Sequence, residues 1–299
     1  AGWFNVNQLV AMSGQRVILP FYHVVSDVER LHYKNLYPIK SVSEFEEDLD
    51  FLLKHFKPIS LKELIELVQS GKKSKEKVFH LTFDDGLSEL YNVVAPILKE
   101  KNIPATFFIN TDFIDNKAMF YRFKASLLTE EFAANGMLDL PYGQEKDIDV
   151  LAETLEYDFD EYLKQEQPYL TSEQIKELIS QGFTIGAHSL NHPLYSKINI
   201  EEQLSQTLES VNNLVNQFNL DYKVFSFPFT DEGVGQEFYK KINSQLDLTF
   251  GTAGIKNDFS NKNLQRIGME ENIKGIDIIK TQHLYYFLKK FLGKNKISR

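Results

Sequence analysis

The sequence contains no cysteine and no long uninterrupted apolar segment, and basic side chains are fewer than acidic ones. Without cysteine, disulfides and thiolate metal sites are excluded, so a metal could be bound only through His, Asp or Glu. Without a run of about 18 apolar residues, no integral membrane segment is expected. The 33 Lys and Arg against 42 Asp and Glu argue against nucleic-acid binding, which needs clustered basic groups.

A secretory signal is also missing from the first twelve residues, which lack a basic start followed by an apolar centre. A chain without cysteine suits a reducing cytoplasm, and it equally suits an exported protein that has no disulfides. The chain begins with Ala instead of Met. We therefore expect either a cytoplasmic protein or an exported one that has been trimmed, and the pattern indicates neither the compartment nor an oligomeric state.

Short apolar runs rich in β-branched and aromatic residues alternate along the chain with segments of helical periodicity. Such alternation predicts an α/β fold with a parallel sheet or barrel. The 299 residues, 42% of them hydrophobic, are enough for one large domain with a packed core. The predicted strands are residues 16–23, 77–83, 104–110, 182–188, 222–227, 246–250 and 264–267.

Capping motifs and periodic apolar residues mark the helices between these strands. One helix is predicted to run from Gly86 to about residue 101 with a bend at Pro96, and others cover residues 201–218 and 276–292. The predicted capping boxes are Ser43-x-x-Glu46, Ser60-x-x-Glu63 and Thr171-x-x-Gln174.

Residues 111–170 interrupt this alternation with an aromatic cluster, a break of glycine and proline around residues 136–143 and an acidic stretch. We interpret them as an insertion within a single domain of residues 1–299. The aromatic residues Phe120, Tyr121 and Phe123 could offer a stacking surface for a sugar or form the interior of the insertion. The interior is the commoner use of such residues.

Two adjacent carboxylates, Asp84 and Asp85, end the strand predicted over residues 77–83 and precede Gly86. Burying carboxylates there is costly unless a cation or hydrogen-bond donors receive them. Neighbouring side chains of an extended segment point to opposite sides, and a turn at Gly86 would let both reach the mouth of a barrel with different partners. The alternative is a helix N-cap, for which Asp is common.

His188 and His192 follow another predicted strand, in the sequence HSLNHP. Two histidines four residues apart can meet one ion if the intervening turn is helical, and otherwise they are unrelated loop residues. With an acidic strand end they would give two imidazoles and one carboxylate, leaving positions for water and substrate. That is the ligand number of a catalytic zinc-type site, whereas structural sites use four protein ligands.

Three segments, TFDDG at residues 82–86, IPATFFI at 103–109 and HSxxHP at 188–193, together resemble the polysaccharide deacetylase family. This family is also called carbohydrate esterase family four or the NodB-homology domain. The resemblance covers roughly residues 77–110 and 171–230. It implies a distorted (β/α) barrel of about seven strands that holds one divalent ion through an Asp-His-His set. Zn is the first expectation for that ion, with Co, Ni and Mn as alternatives.

The resemblance implies metal ligation by Asp85, His188 and His192 and a general-base role for Asp84. The ion would acidify a water and polarise the acetyl carbonyl, and Asp84 would accept the water's proton. The tetrahedral oxyanion would also need a backbone N–H. The family takes this donor from the residue after the proline of its third motif, which is Phe229 in the sequence FSFPF of residues 225–229.

The third motif departs from the family pattern at Ser226, where many members have an Arg that pairs with the base Asp. A hydroxyl cannot replace a guanidinium, so another cation must orient Asp84, or the metal alone sets its pKa. Arg266 could supply this cation. The alternative for Arg266 is an ordinary surface or inter-strand ion pair.

The general acid is the second departure, because no close match to the family's Leu-x-His motif follows Gly251. A family subset that acts on poly-N-acetylglucosamine resembles a circular permutation, with this His moved to an N-terminal Tyr-His motif. PFYHVV at residues 20–25 is similar, which makes His23 the candidate for protonating the leaving amine. His283, in a predicted amphipathic helix, is the other candidate.

The remaining polar residues receive structural interpretations. His32 and His55 lie in polar or helical contexts, and His80 lies inside a predicted strand. Asp231 and Glu232 are predicted to begin a helix as its N-cap and first-turn acid.

The expected function is therefore a metal-dependent hydrolase that removes acetyl groups from a glycan. The N-terminal Tyr-His pattern favours the N-acetyl groups of an amino-sugar polymer or oligomer. One alternative is a carbohydrate-binding protein that kept the metal and lost turnover, which the missing Arg makes conceivable. Another is a metal-dependent amidohydrolase acting on a small amide, because a fold alone does not decide the reaction.

Overall fold

Short strands, all paired in parallel, form the centre of the fold. The computed structural model describes residues 4–134, 136–271 and 273–299. The strands are β1 (Val17–Ile18), β2 (Pro20–Tyr22), β3 (Lys57–Pro58), β4 (Val78–Phe79), β5 (Leu81–Phe83), β6 (Ala105–Ile109), β7 (Thr184–Ala187), β8 (Val224–Ser226), β9 (Leu248–Gly251), β10 (Asn263–Gln265) and β11 (Ile267–Gly268).

The main sheet contains eight of these strands in the order β10-β9-β8-β7-β6-β5-β2-β11. Its two edge strands are consecutive in the chain, separated only by Arg266. Residues 263–268 therefore pair with β9 through β10 and with β2 through β11, which nearly closes the sheet into a barrel. The predicted distorted barrel is confirmed, and the seven predicted strand segments supply its eight short strands.

Two other predicted strands, residues 16–23 and 77–83, are also divided in the structure. The first halves, β1 and β4, join β3 in a separate three-stranded sheet, while β2 and β5 continue in the barrel. His80 lies at one of these breaks, with its two ring nitrogens 2.8 Å from Ile59 O and 2.8 Å from Thr106 Oγ1. Burial lowers the pKa of His80 to about 4, so the ring is neutral and structural, as the sequence indicated.

Helices cover the outside of the sheet, and the apolar side chains of four of them, at residues 42–55, 172–180, 200–218 and 275–291, contribute to the largest buried cluster. No described helix is both long and apolar enough to cross a membrane. The α-helices are α1 (Val6–Ser13), α2 (Val42–His55), α3 (Leu61–Gln69), α4 (Ala95–Glu100), α5 (Tyr121–Phe132), α6 (Glu145–Thr154), α7 (Phe159–Glu166), α8 (Ser172–Ser180), α9 (Ile200–Phe218), α10 (Gln236–Ile242) and α11 (Gly275–Phe291).

Two of the three predicted capping boxes are confirmed, at Ser60 and Thr171. The box predicted at Ser43 is wrong, because Ser41 and Glu44 form it and α2 begins at Val42. Both serines have a Glu three residues later, so spacing alone could not separate them. The extended backbone of Ser41, with φ −65° and ψ 159°, makes it the residue that precedes the helix.

The helix predicted to follow Gly86 changes type along its length. A π-helical turn, Leu90–Val94, precedes α4, and Pro96 lies in the first turn of α4. Proline has no N–H to donate, so it suits a first turn and interrupts the regular helical pattern before it.

The insertion predicted over residues 111–170 adds helices α5, α6 and α7 between β6 and β7. Phe120 and Phe123 are buried in a cluster that also contains Val24 and Leu87 from the barrel side. These aromatic rings therefore pack between the insertion and the barrel as part of the protein interior, which is the commoner of the two uses considered above. That packing places the insertion beside the ends of β2 and β5.

Candidate active site

Polar side chains gather at the barrel end formed by the carboxyl ends of the parallel strands. His23 follows β2, Asp84 and Asp85 follow β5, and His188 follows β7. The strand pairing extends one residue further at Asp84, whose N–H donates to Tyr22 O at 3.0 Å. The site is therefore built directly on the sheet. Neither aspartate caps a helix, since the residue before the π-helical turn Leu90–Val94 is Glu89, whose side chain makes no capping hydrogen bond.

Asp85, His188 and His192 converge in a buried cluster, with one potential ligand atom of each within 4.8 Å of the others. Asp85 Oδ1 lies 3.3 Å from His188 Nε2 and 3.2 Å from His192 Nε2, and no donor in the described residues bonds to it. Burial disfavours this charge, but the two imidazoles hold the pKa of Asp85 well below its usual range. An orphaned carboxylate oxygen facing two imidazole nitrogens fits a divalent cation.

The two histidines are oriented by different neighbours. His188 Nδ1 lies 2.9 Å from the carbonyl oxygen of Ser226, and a proton donated there leaves Nε2 free as a ligand. The His192 ring lies between Phe120 and Phe229, with centroid distances of 4.4 and 4.5 Å. Burial lowers the pKa of His192, which favours the neutral imidazole that metal binding requires.

The segment between these histidines does not have the helical turn that was the condition for their meeting one ion. Residues 188–193 form an irregular loop in which Ser189 and His192 have φ angles of 72° and 66°. Ser189 Oγ accepts the His192 N–H at 2.9 Å, and Gln206 Oε1 from α9 accepts the Leu190 N–H at 3.0 Å. Side-chain hydrogen bonds thus replace the helical pattern and still bring both imidazoles to one point.

Four residues of this site have left-handed backbone conformations. Besides the two loop residues, Asp85 has φ 72° and Phe229 has φ 57°. Such conformations cost about 1 kcal/mol or more for residues other than glycine and persist only where the surroundings enforce them. Gly86, with φ +67°, follows Asp85, and a Cβ there would lie 2.9 Å from Ile109 Cγ2. The sharp turn after β5 therefore depends on glycine.

Asp84 forms a two-point ion pair with the fully buried Arg266. Arg266 Nη1 donates to Asp84 Oδ1 at 2.7 Å, and Nη2 donates to Oδ2 at 2.7 Å. Burial alone would raise the pKa of Asp84, but the charge and hydrogen bonds of Arg266, together with His188 and His23, outweigh it and the pKa is lowered. The interpretation of Arg266 as the cation that orients Asp84 fits this geometry, and a surface ion pair does not.

The remaining donors of Arg266 are also used. Nε donates to Gly251 O at 3.2 Å, Nη1 to Thr82 Oγ1 at 3.1 Å and Nη2 to Ser226 Oγ at 2.7 Å. The guanidinium also lies over the Phe21 ring, 4.4 Å from its centroid. Ser226, which stands where many family members have Arg, is thus small enough to admit a guanidinium from a residue 40 positions further along the chain, and it accepts one of its hydrogen bonds.

His23 is paired with Glu270, a residue that sequence reasoning missed. His23 Nδ1 lies 2.6 Å from Glu270 Oε2, while Oε1 accepts the backbone N–H groups of His23 and Val24 at 2.5 and 2.7 Å. Burial lowers the pKa of His23, but the charge and hydrogen bond of Glu270 raise it to about 9. The only sequence signal for Glu270 was a carboxylate four residues after Arg266.

Among the described residues, the backbone N–H of Phe229 donates to no backbone carbonyl. The preceding turn is tight, with the Thr230 N–H donating to Pro228 O at 2.6 Å. Because the Phe229 ring contacts the metal-ligand candidate His192, its amide lies on the same side of the molecule as the cluster.

Two other polar residues lie elsewhere. His283 is buried in α11, with Nδ1 2.8 Å from Ser13 Oγ of α1, and burial lowers its pKa to about 4. It therefore links two helices. The helix N-cap predicted at Asp231 is wrong: Gly235 precedes α10, and the buried Asp231 carboxylate pairs with Arg299. The carboxylate of Asp231 is buried in an ion pair with Arg299 and does not bond to the N–H groups of a helix, as a cap would.

Comparisons with known proteins cover most of the chain. The family model described as polysaccharide deacetylase matches residues 71–250. The protein YxkH of Bacillus subtilis (strain 168) is 21% identical over 236 residues, which are 78% of this chain and 66% of YxkH. The chain therefore spans less than two thirds of that relative.

Two solved structures share the fold over almost their entire length. The deacetylase PplD of Streptococcus pyogenes, in complex with acetate, has a TM-score of 0.60 and 19% identity, covering 90% of this chain and 98% of PplD. A de-N-acetylase from Aggregatibacter actinomycetemcomitans has a TM-score of 0.58 and 18% identity, and the match covers 89% of this chain and 100% of that one. At these identities the likeness concerns the fold. The family match, which spans more than half of the chain, confirms the resemblance seen in the motifs: the chain belongs to the polysaccharide deacetylase family.

Proposed function

We propose that this protein is a metal-dependent hydrolase that removes acetyl groups from a glycan, with N-acetyl groups of an amino sugar as the substrate class. The observation that carries the proposal is the buried Asp85-His188-His192 cluster beside an ion-paired Asp84. Family membership supports deacetylation, and one structural neighbour is a de-N-acetylase by its title.

The donor set fits one divalent ion, which Asp85, His188 and His192 would hold. When bound, such an ion would act as a Lewis acid towards the acetyl carbonyl and towards the attacking water. Two imidazoles and one carboxylate suit several first-row ions, and we propose Zn, with Co, Ni or Mn as substitutes.

Asp84 is the proposed general base. Arg266 holds the carboxylate ionised and fixes its plane, so it can accept the proton of a water that attacks the acetyl carbon. The Phe229 N–H is the proposed donor to the oxyanion that develops on the carbonyl oxygen. Both assignments place charge-stabilising groups before the reaction begins, so little reorganisation is needed.

His23 is the proposed general acid. Glu270 accepts the proton on Nδ1, which leaves the Nε2 proton for the leaving amine nitrogen. With a pKa raised to about 9, the imidazolium is populated at neutral pH. An amine is a poor leaving group unless it is protonated, and this requirement supports an N-acetyl substrate.

The binding-protein alternative rested on the missing Arg of the third motif. Arg266 supplies a guanidinium to Asp84 from another strand junction, which removes that argument. A small-amide substrate is the alternative that the experiment must separate from a glycan.

The test is acetate release from acetylated amino-sugar oligomers, chitin, xylan and small amides, with and without added metal. We expect release from the amino-sugar substrates only when metal is present. Metal-loaded protein that releases acetate from none of them would contradict the proposal, and release from small amides alone would favour the amidohydrolase.

A further inference from the structure

Tyr37 lies in the irregular segment between β2 and α2 and contacts both the proposed metal ligand Asp85 and the proposed acid His23. Its hydroxyl donates to Asp85 Oδ2 at 2.5 Å. The other oxygen, Asp85 Oδ1, faces His188 and His192. The two oxygens of this carboxylate therefore have separate partners.

The ring of Tyr37 also stacks on the ring of His23. The centroids are 4.8 Å apart and the planes differ by 19°. Glu270 holds His23 through Nδ1, and Phe21 meets the imidazole ring nearly at a right angle, with centroids 5.5 Å apart. A third contact fixes Tyr37 itself, because its ring meets Phe123 of the insertion edge-on at 6.3 Å.

We propose that Tyr37 is a positioning residue that fixes Asp85 as a ligand through one oxygen and holds the imidazole plane of His23. This inference rests on the proposed function, since it assigns Tyr37 to the same metal and the same acid. Tyr37 touches a ligand and the acid and is not itself assigned a proton-transfer step.

The physical reason lies in what the carboxylate could otherwise do. A carboxylate with both oxygens free can bind an ion through either oxygen or through both, and each mode moves the ion relative to Asp84. A hydroxyl bonded to Oδ2 leaves Oδ1 as the ligand atom. Hydrogen bonds to ligating carboxylates typically change metal affinity by about 10–100-fold.

The two contacts of Tyr37 can be separated by two variants. Tyr37→Phe keeps the ring and removes the hydroxyl, so metal affinity should fall about 10–100-fold while the high-pH limit of kcat/KM stays in place. Tyr37→Leu removes both contacts, so it should show the same loss of affinity and also a displaced high-pH limit. Metal affinity is measured by competition with a chromophoric chelator, independently of turnover.

Tyr162→Phe is the matched control, because that hydroxyl lies 2.9 Å from His32 Nδ1 beside the same aromatic cluster, and no hydrogen bond among the described residues joins it to a proposed ligand. Its metal affinity should equal that of the unaltered protein. Equal affinity in Tyr37→Phe, or an equal loss in Tyr162→Phe, would overturn the role at Asp85. Identical pH profiles for Tyr37→Phe and Tyr37→Leu would overturn the role at His23. If the unaltered protein bound no metal, the proposed function itself would fail.

Discussion

The centre of the chain and its two flanks contribute different parts of the candidate site. Residues 71–250, which match the family model, contain the three proposed metal ligands and Asp84. The flanks contain His23, the proposed acid, and Tyr37, Arg266 and Glu270, which contact His23, Asp84 or Asp85. The proposed metal ligands therefore lie in short motifs, whereas the partners of Asp84 and His23, Arg266 and Glu270, reach them only when residues 263–268 close the barrel beside β2.

The largest effect is expected from His188→Ala in the central part. Removing one of three ligands should abolish metal binding and acetate release together. Elemental analysis and acetate measurements on the same sample test this. One ion per chain in the variant would remove His188 from the ligand set.

A variant at the flank residue His23 should lose turnover without losing the metal. His23→Ala should lower kcat by about 10²–10⁴-fold, the usual contribution of a general acid, while one ion per chain remains bound. Turnover and metal content measured side by side check this. Unchanged turnover would exclude His23 as the acid, and since His283 is buried between α1 and α11, the acid would then have to be sought elsewhere.

Arg266→Met tests how much the ion pair between Arg266, on a flank, and Asp84, in the central part, contributes to stability. Breaking a buried ion pair on one side leaves Asp84 buried and unpaired, which should lower the free energy of unfolding by about 3–5 kcal/mol. Denaturant titration measures this, with Arg30→Met at the exposed pair with Glu166 as the control, for which less than about 1 kcal/mol is expected. Equal losses in the two variants would contradict a special role for the buried pair.

The smallest effect is a shift in pH dependence. If His23 is the general acid, it must be protonated to act, and activity should fall as pH rises through its pKa of about 9. In Glu270→Gln the charge that raises this pKa is lost and burial still lowers it, so the fall should occur at lower pH. The pH profile of kcat/KM decides the point, and an unmoved high-pH limit would dissociate Glu270 from the acid.

Much of the central part could be predicted from sequence because its signals are local. The strand ends, the adjacent aspartates and the two histidines lie within short motifs. The conformation of residues 188–193 could not be predicted, since a spacing of four suits a helix and an irregular loop alike. Ser189 and Gln206, on a helix further along the chain, accept hydrogen bonds from the loop that forms, and residues 110–112, which follow β6, donate to it.

The flanks were harder to predict because their partners are far away in the chain. Arg266 and Asp84 are 182 residues apart, and His23 and Glu270 are 247 apart. Arg266 was a candidate only because Ser226 left Asp84 without a cation. Glu270 and Tyr37 belong to no motif, and their contacts follow from barrel closure and from the packing of the insertion.

The central claim, a metal-dependent deacetylase with Asp84 as its base, is tested most directly by acetate release from metal-loaded Asp84→Asn. We predict that this variant binds one ion per chain, as the unaltered protein does, and that it releases no acetate from an N-acetylated amino-sugar oligomer on which the unaltered protein acts. Release at the unaltered rate, with the same metal content, would contradict the claim.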